Sequence, residues 1–196
     1  MFKRSLSLAV ATLLLAGAVL PARADWYLDG ESSRLSFISS KNGSVSEVQR
    51  FLVLHGQVQP KGLARLEVEL ESINSGIPLR DERMRAELFD IKRFGEATIT
   101  AQIDLLPIQD LANGAQLELR LPLTVDLHGK QHEYNVELLA TRLDEHRFQV
   151  VTLEPVVLNA ADFDLAPGLE TLRKMAGLSA ISLSVPVNAV LIFTAR

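Results

Sequence analysis

The sequence predicts a mainly β protein, a single antiparallel β-barrel of about eight strands with two short helices. Three observations predict this fold. Apolar and polar residues alternate with period two through most of the chain, short turn signals join the alternating runs, and two segments carry apolar residues at helical spacing instead. One-sided alternation with short connections is typical of a closed antiparallel barrel. A β-sandwich remains the alternative, because periodicity alone does not separate the two folds.

The strand-like runs have one apolar face each. In "LARLEVELESI" (residues 63–73), Leu66, Val68 and Leu70 share one parity and the charged residues take the other. The same alternation continues through "TITAQIDLL" (98–106), "QLELRLPLTVDLH" (116–128) and "ISLSVPVNAVLIF" (181–193). The turn signals are "PKG" (60–62), "HGK" (128–130) and "LANG" (111–114). Prolines inside two of the runs predict strand edges or bulges at Pro122 and Pro186.

Two segments have helical spacing. In "SGIPLRDERMRAELFD" (75–90), Met84 and Leu88 share a helical face, so we expect a helix that packs onto the barrel. Along its surface, the pairs Asp81–Arg85 and Arg83–Glu87 are four residues apart and are expected to form ion pairs. The second helix is expected in "APGLETLRKMAG" (166–177), which has a proline in its first turn and a glycine at its end.

The first 24 residues have the pattern of a secretory signal peptide. Lys3 and Arg4 precede an apolar run over residues 6–20, and Ala22 and Ala24 form a small-x-small cleavage motif. Cleavage after Ala24 would leave one domain over residues 25–196, with no stable membrane anchor. The run is short for a bilayer span, which counts against the alternative of an uncleaved anchor. The sequence therefore predicts a periplasmic or secreted protein.

Composition excludes several classes of function. Loss of residues 1–24 removes three of the 20 basic residues, which leaves 17 against 24 acidic residues and a net charge of −7. This charge argues against nucleic-acid binding. The chain has no cysteine, so thiol catalysis and thiolate metal sites are excluded. Known nucleophile, nucleotide and zinc motifs are absent from the sequence, so no catalytic or metal site is predicted. His128 and His132 flank one turn and are interpreted as solvated turn residues.

The charged segment over residues 75–90 allows two interpretations. Arg80, Arg83 and Arg85 could bind an anion. Alternatively, the acidic residues of the segment neutralise these arginines, while Met84 and Leu88 pack onto the barrel. Both hold if the helix lies at the barrel mouth, with Arg80 or Arg83 directed toward a head group.

The alternation of the strands does not decide whether the barrel interior is filled by side chains or holds one ligand.

Several motifs, in order, resemble one known family. The segment 75–99 contains the Ser-Gly, Arg-Asp-x-x-Met and Leu-Phe-Asp-x-x-x-Phe signature of the YceI-like lipid/polyisoprenoid-binding family. "WYLDGESSRLSF" (26–37) is similar to its opening strand, "LTVDLHGKQHEYNV" (123–136) to its Leu-Thr-Ile-x-x-x-Gly hairpin, and "ADFDLAPG" (161–168) to its Asp-Phe-Gly-Leu segment. The resemblance spans nearly the whole chain after residue 25.

The resemblance implies a lipocalin-like barrel whose hydrophobic tunnel holds a polyisoprenoid, quinone-like or fatty chain, in a protein that is often exported and is not known as an enzyme. Such a protein would transport, store or sequester its ligand, and a homodimer is left open. The inward residues expected to contact the ligand are Phe51, Val68, Leu70, Leu88, Phe89, Ile99, Leu119, Leu121, Leu123, Tyr134, Val136, Leu183 and Val185.

Two other functions remain as alternatives. A solid-core barrel would act as a partner-binding module and would have no large internal cavity. A lipid hydrolase would need His128 or His132 beside an acidic residue, and would be the less favoured reading because no nucleophile motif accompanies them.

Overall fold

A computed structural model describes residues 25–195 of the 196-residue chain. The predicted signal peptide lies outside the described residues. Among the residues described, no helix is long and apolar enough to cross a membrane.

All strands of the described chain belong to one antiparallel sheet. In chain order, the strands are β1 (Trp26–Leu28), β2 (Arg34–Lys41), β3 (Val45–Phe51), β4 (Leu54–Val58), β5 (Leu63–Glu69), β6 (Ile73–Asn74), β7 (Glu96–Gln102), β8 (Gln116–Leu127), β9 (Lys130–Arg142), β10 (Arg147–Thr152), β11 (Val156–Asn159) and β12 (Ser184–Ala195).

Eight of these strands close into a barrel, in the order β1–β4–β5–β7–β8–β9–β10–β12. The ring closes where Trp26 of β1 pairs with Ala195 of β12 on one side and with Val58 of β4 on the other. Closure leaves no free edge around the ring. The predicted antiparallel barrel of about eight strands is therefore confirmed, and the sandwich is excluded.

One end of the barrel is extended by additional strands. The C-terminal half of β12 pairs with β1, whereas its N-terminal half pairs with β2 and β11. The hairpin of β2 and β3 thus rises above the ring, and β6 adds to β3 through Phe51 and Ile73. We call this end, which also carries the β8–β9 turn, the upper end.

The predicted turns and prolines lie where the strand pairings permit them. The β8–β9 turn has positive φ angles at both central residues, 54° at His128 and 73° at Gly129, as a type I′ hairpin turn requires. Pro122 pairs only with β9, and Pro186 pairs only with β11. Each proline therefore faces an unpaired side, where its missing N–H costs no ladder hydrogen bond.

Three short α-helices accompany the sheet in the part of the chain that the structure describes, one more than predicted. They are α1 (Pro78–Arg83), α2 (Leu106–Gln109) and α3 (Ala166–Met175). Helix α2 has only four residues, too few for helical periodicity to be visible in the sequence. The two predicted helices correspond to α1 and α3.

Helix α1 continues as a π-helical turn over residues 84–88, and this turn explains one wrong expectation. Phe89 N–H donates to the Met84 carbonyl five residues earlier, at 2.9 Å. The wider turn changes which side chains face each other. Within residues 25–195, the expected pairs Asp81–Arg85 and Arg83–Glu87 do not form. Asp81 accepts instead from the Ser75 N–H at 2.8 Å, and Arg85 donates to the Glu71 carbonyl at 2.7 Å.

The two upper helices pack closely against each other. Gly168, in the first turn of α3, lies so near the π-helical turn that an added Cβ would be 2.5 Å from the Glu87 carbonyl oxygen. Below the helices, the core joins Met84, Leu88 and Phe89 to Phe51 and Phe163. The predicted packing of the charged segment onto the barrel is confirmed.

Candidate functional site

The barrel encloses a cavity of about 620 Å³. Its wall is formed mainly by Leu, Ile, Val, Phe and Ala side chains from the strands of the ring and from all three helices. This volume lies within the range of small-molecule sites, about 300–1,000 Å³, and such sites are mostly apolar with a few placed polar groups.

Small residues leave the space open. Ala64 of β5 pairs with Ala101 of β7, and both line the cavity. On the opposite wall, Ala189 of β12 also faces inward, opposite Leu35 of β2. Large side chains that meet at the centre fill a barrel of about eight strands. The small alanine side chains on these two walls therefore account for the cavity.

Helix α2 lies at the lower end of the barrel. Ile108 of α2 is buried and lines the cavity, and Arg142 of β9 holds that helix by donating to the Gln109 carbonyl at 2.6 Å. Trp26 and Phe148, which also line the cavity, pack edge to face with ring centroids 4.8 Å apart.

The upper end is covered by helices but reaches solvent beside α1. Leu88 and Phe89 cover the core, and Leu172 of α3 lines the cavity next to them. Ile77 and Leu79 also line the cavity, although 50% and 55% of their surfaces are exposed. An apolar ligand could enter beside these two residues without crossing the sheet.

The cavity is elongated. On β8 its wall includes Leu119 and Leu127, and eight residue steps at about 3.4 Å each make roughly 27 Å along that strand. A long, mainly apolar space matches an extended chain better than a compact ring system.

Several polar residues line the upper end of the cavity, beside the apolar residues of the helices. On the inward side of the β2–β3 hairpin, Ser39 pairs with Glu47, Lys41 and Gln49 lie beside this pair, and all four residues line the cavity. Arg80 and Arg83 of α1 line it from above. The upper end therefore adds polar side chains to a wall that is otherwise mainly apolar.

An ion-pair cluster organises this polar end. Glu47 accepts from the Lys41 ammonium at 2.9 Å and from the Arg80 guanidinium, and Arg80 also donates to the Ser75 carbonyl at 2.7 Å. The hydrogen bond from Lys41 has the largest effect on the pKa of Glu47. Together with the smaller effect of the hydrogen bond from Arg80, it lowers this pKa below its ordinary value. The cluster thus joins α1 to β3 across the top of the barrel.

The structure places most of the predicted contact residues on the cavity wall. Those that line it are Phe51, Val68, Leu70, Leu88, Phe89, Ile99, Leu119, Leu123 and Val185, together with Arg80 and Arg83.

Four predicted contact residues are not among those that line the cavity: Leu121, Tyr134, Val136 and Leu183. Tyr134 stacks behind Phe163, which occupies the wall in its place. Leu121 and Val136 pair with each other across β8 and β9. Leu183 precedes the first residue of β12 and is 41% exposed, so strand parity does not direct it inward.

Sequence reasoning places neither the polar residues of the β2–β3 hairpin nor helix α3 at the cavity, whereas the structure shows both lining it. The signal for their position is the period-two pattern of the hairpin, in which inward residues such as Lys41, Glu47 and Gln49 alternate with outward ones. It was not recognised because polar residues on an inward face contradict the usual binary pattern. The helical spacing of residues 166–177 predicts helix α3 but gives no partner surface for it, and the structure places its Leu169 and Leu172 on the cavity wall.

His128 differs from its predicted role as a solvated turn residue. Its ring is half-buried, lies 4.4 Å from the Phe94 ring centroid, and Nδ1 is 3.1 Å from the Phe163 carbonyl oxygen. His132 is exposed, with its ring edge-on to Phe163. Within residues 25–195, no cluster of three or more His, Cys, Asp or Glu residues could hold a metal ion.

Comparison with known proteins gives one family. The YceI-like domain model matches residues 26–193. A polyisoprenoid binding domain from Saccharophagus degradans, implicated in plant cell wall breakdown, has a similar structure with a TM-score of 0.86 and 39% sequence identity, covering 87% of this chain and 98% of that one. BcnA from Burkholderia cenocepacia shares the fold, with a TM-score of 0.67 and 16% identity over 84% of this chain and 98% of its own. No curated protein sequence matches the chain significantly.

Proposed function

This chain belongs to the YceI-like family, and from that premise we propose that it binds one long apolar chain, a polyisoprenoid, quinone-like or fatty acyl chain, inside its barrel. The observation that carries the proposal is the elongated cavity of about 620 Å³ with its apolar wall. The similar domain described as polyisoprenoid-binding supports the same class of ligand.

The energetics favour a chain over a small apolar molecule. Each buried methylene contributes ~0.8 kcal/mol, so ten methylenes contribute about 8 kcal/mol before the costs of association and ordering. Because those costs are partly independent of ligand size, a long chain has a more favourable net free energy of binding than a short one.

We further propose a carrier or sequestering role in the periplasm. The leader-like pattern of residues 1–24 supports export. A cavity that shields an apolar chain from water supports a role in moving or storing such a chain in an aqueous compartment.

The two alternatives have less support. A solid-core barrel would not contain a cavity of this size. A lipid hydrolase would need a base beside the bound chain, but neither His128 nor His132 is among the residues that line the cavity, and both contact Phe163.

The proposal is tested by filling the cavity. Ala101→Trp places an indole inside the barrel between Ala64 and Leu123. We expect at least a tenfold loss of affinity for dodecanol and farnesol, measured by titration calorimetry and native mass spectrometry. Thr100→Trp, on the outward face of the same strand, is the matched control and should bind within twofold of the wild type.

Correct folding is verified by circular dichroism and thermal unfolding. Ala189→Trp, on the opposite wall, provides a second variant if Ala101→Trp unfolds. Wild-type affinity in a folded cavity-filling variant would contradict the proposal.

A further inference from the structure

Three elements border the opening of the cavity: the start of α1, the end of α3 and the turn between β2 and β3. Arg80 of α1 donates to Glu47 of β3. The Ser179 N–H, just after α3, donates to the Asn42 Oδ1 in the hairpin turn at 2.9 Å. Gly168, at the start of α3, packs against the π-helical turn that follows α1. The three elements are therefore joined around the place where the cavity reaches solvent.

Each of these elements exposes large apolar side chains. We call the exposed residues the apolar rim, which consists of Val45 of the hairpin at 45% exposure, Ile77 and Leu79 at the start of α1 at 50% and 55%, and Met175 at the end of α3 at 46%. Val45 has the inward parity of β3, and Met175 lies one turn after Leu172, which lines the cavity. Single exposed apolar residues are ordinary, whereas several around one opening form a patch that marks an interaction site.

The apolar rim is continuous with the cavity wall. Ile77 and Leu79 belong to both, and Ala176, next to Met175, is exposed and also lines the cavity. A chain that leaves the cavity here passes from the apolar wall to the apolar rim. In water, each methylene that emerges opposes this movement. A lipid bilayer removes the opposition, because its interior is apolar like the cavity.

The charge of the three elements differs from that of the rest of the protein. Residues 41–47, α1 and α3 together have a net charge of +1, from five basic residues against four acidic ones: Lys41, Arg80, Arg83, Arg173 and Lys174 against Glu47, Asp81, Glu82 and Glu170. Since residues 25–196 carry −7, the remainder carries −8. An anionic surface therefore repels the rest of the protein and is complementary to these three elements.

The positive charge that remains lies at the end of α3. Arg173 and Lys174 share one carboxylate, that of Glu170, at 2.7 and 3.4 Å, and the Lys174 side chain is still 69% exposed. It is the immediate neighbour of Met175 of the apolar rim. A cation beside an exposed apolar side chain is typical of interfacial binding, in which the apolar group enters the lipid and the cation stays at the level of anionic head groups.

We propose that the protein docks on an anionic lipid bilayer through the apolar rim, with Lys174 at the level of the lipid head groups. In this orientation the cavity opens toward the bilayer interior, and an apolar chain moves between the two without crossing water. The inference goes beyond the proposed function, because binding a chain does not by itself require contact with a membrane.

Docking is measured by flotation of the protein with vesicles of phosphatidylcholine and phosphatidylglycerol, and with vesicles of phosphatidylcholine alone. One unneutralised cation near an anionic membrane surface changes binding by about fivefold. We therefore expect partition onto the anionic vesicles to be about fivefold stronger than onto the neutral ones. This difference should shrink as salt is raised.

Met175→Glu and Val45→Glu test the apolar rim without altering the cavity wall, because neither residue is among those that line the cavity. Each variant removes one apolar side chain from the lipid and adds a negative charge. Partition onto the anionic vesicles should therefore fall roughly 10- to 100-fold. The affinity for dodecanol in vesicle-free solution, measured by titration calorimetry, should stay within twofold of the wild type.

Leu106→Glu is the matched control. Leu106 is 55% exposed on α2, at the opposite end of the barrel, and it is not among the lining residues. This variant makes the same substitution at a comparable exposure, so its partition onto vesicles should stay within twofold of the wild type. Circular dichroism verifies folding, and either rim variant is sufficient if the other unfolds.

The outcomes separate docking from chain binding. A wild-type protein that binds dodecanol but does not float with vesicles would refute docking and leave the proposed function standing. Equal loss of partition in Leu106→Glu would also refute docking through the rim. The expected vesicle results without any binding of dodecanol or farnesol would support docking and overturn the proposed function. Dimers that both rim variants disrupt, in a protein that does not float, would assign the rim to a second copy and refute docking.

Discussion

Glu47 of β3 links the hairpin to helix α1, because its carboxylate, at the cavity wall, accepts from Lys41 of β2 and from Arg80 of α1. Its sequence neighbours gave no sign of this role, since each partner is distant in sequence or across a turn. Inward parity could have predicted its direction, but the identity of its partners follows only from where α1 lies above the hairpin.

The lowered pKa of Glu47 predicts an acid-sensitive contribution to stability. Because the pKa is lower in the folded state than in the unfolded state, the contribution is fully present above 4.5, the ordinary glutamate value. It is lost as pH falls through the lower folded-state pKa. In Glu47→Gln, the free energy of unfolding, measured in urea, should therefore decrease less between pH 5 and pH 3 than in the wild type.

Glu82→Gln, on the exposed side of α1, should keep the wild-type slope because Glu47 is intact. An unchanged slope in Glu47→Gln would show that its ion pairs do not contribute to stability.

Gly168 is a residue where only a hydrogen side chain fits. In Gly168→Ala, the new Cβ would lie 2.5 Å from the Glu87 carbonyl oxygen and 2.9 Å from the Leu88 Cα. Helix α3 would have to move away from the π-helical turn, so we expect a loss of about 1–3 kcal/mol in the free energy of unfolding. Thermal and urea unfolding measure this loss.

Gly95→Ala is the matched control, because its Cβ would be an acceptable 3.7 Å from the Ile91 carbonyl oxygen. If Gly168→Ala is as stable as the wild type, the close packing of the two helices is not required.

At the scale of elements, helix α1 depends on one buried carboxylate. Asp81 is 6% exposed and accepts from the Ser75 N–H at 2.8 Å, which fixes the chain just before the helix. Asp81→Ala leaves that donor without its acceptor and should cost about 1–3 kcal/mol of stability, measured by urea unfolding. Glu82→Ala, exposed on the same helix, should change stability by less than about 0.5 kcal/mol. Equal effects from the two variants would contradict a structural role for Asp81.

The strands were predictable from the sequence, whereas the details of the helices were not. Alternation identified the inward faces of β5, β7 and β8 because each residue step reverses side-chain direction. Helix α2 is too short to show a period, and no spacing rule distinguishes the π-helical turn from an α-helix. This turn accounts for the wrong ion pairs of α1.

At the scale of the whole molecule, ring closure and the cavity depend on contacts between distant parts of the chain. The pairing of Trp26 with Ala195 joins the two ends of the described chain, and alternation alone was equally compatible with a sandwich. Similarly, the sequence did not decide between a filled interior and a cavity. The paired alanines on the adjacent strands β5 and β7, Ala64 and Ala101, favour a cavity only once the register of these strands is known.

The central claim is that the barrel carries one long apolar chain, and the most direct test is native mass spectrometry of the protein purified from its own cells, followed by organic extraction. We expect a stoichiometric added mass that extracts as a long-chain lipid. An unliganded mass, together with no uptake of added prenyl or fatty chains, would contradict the account.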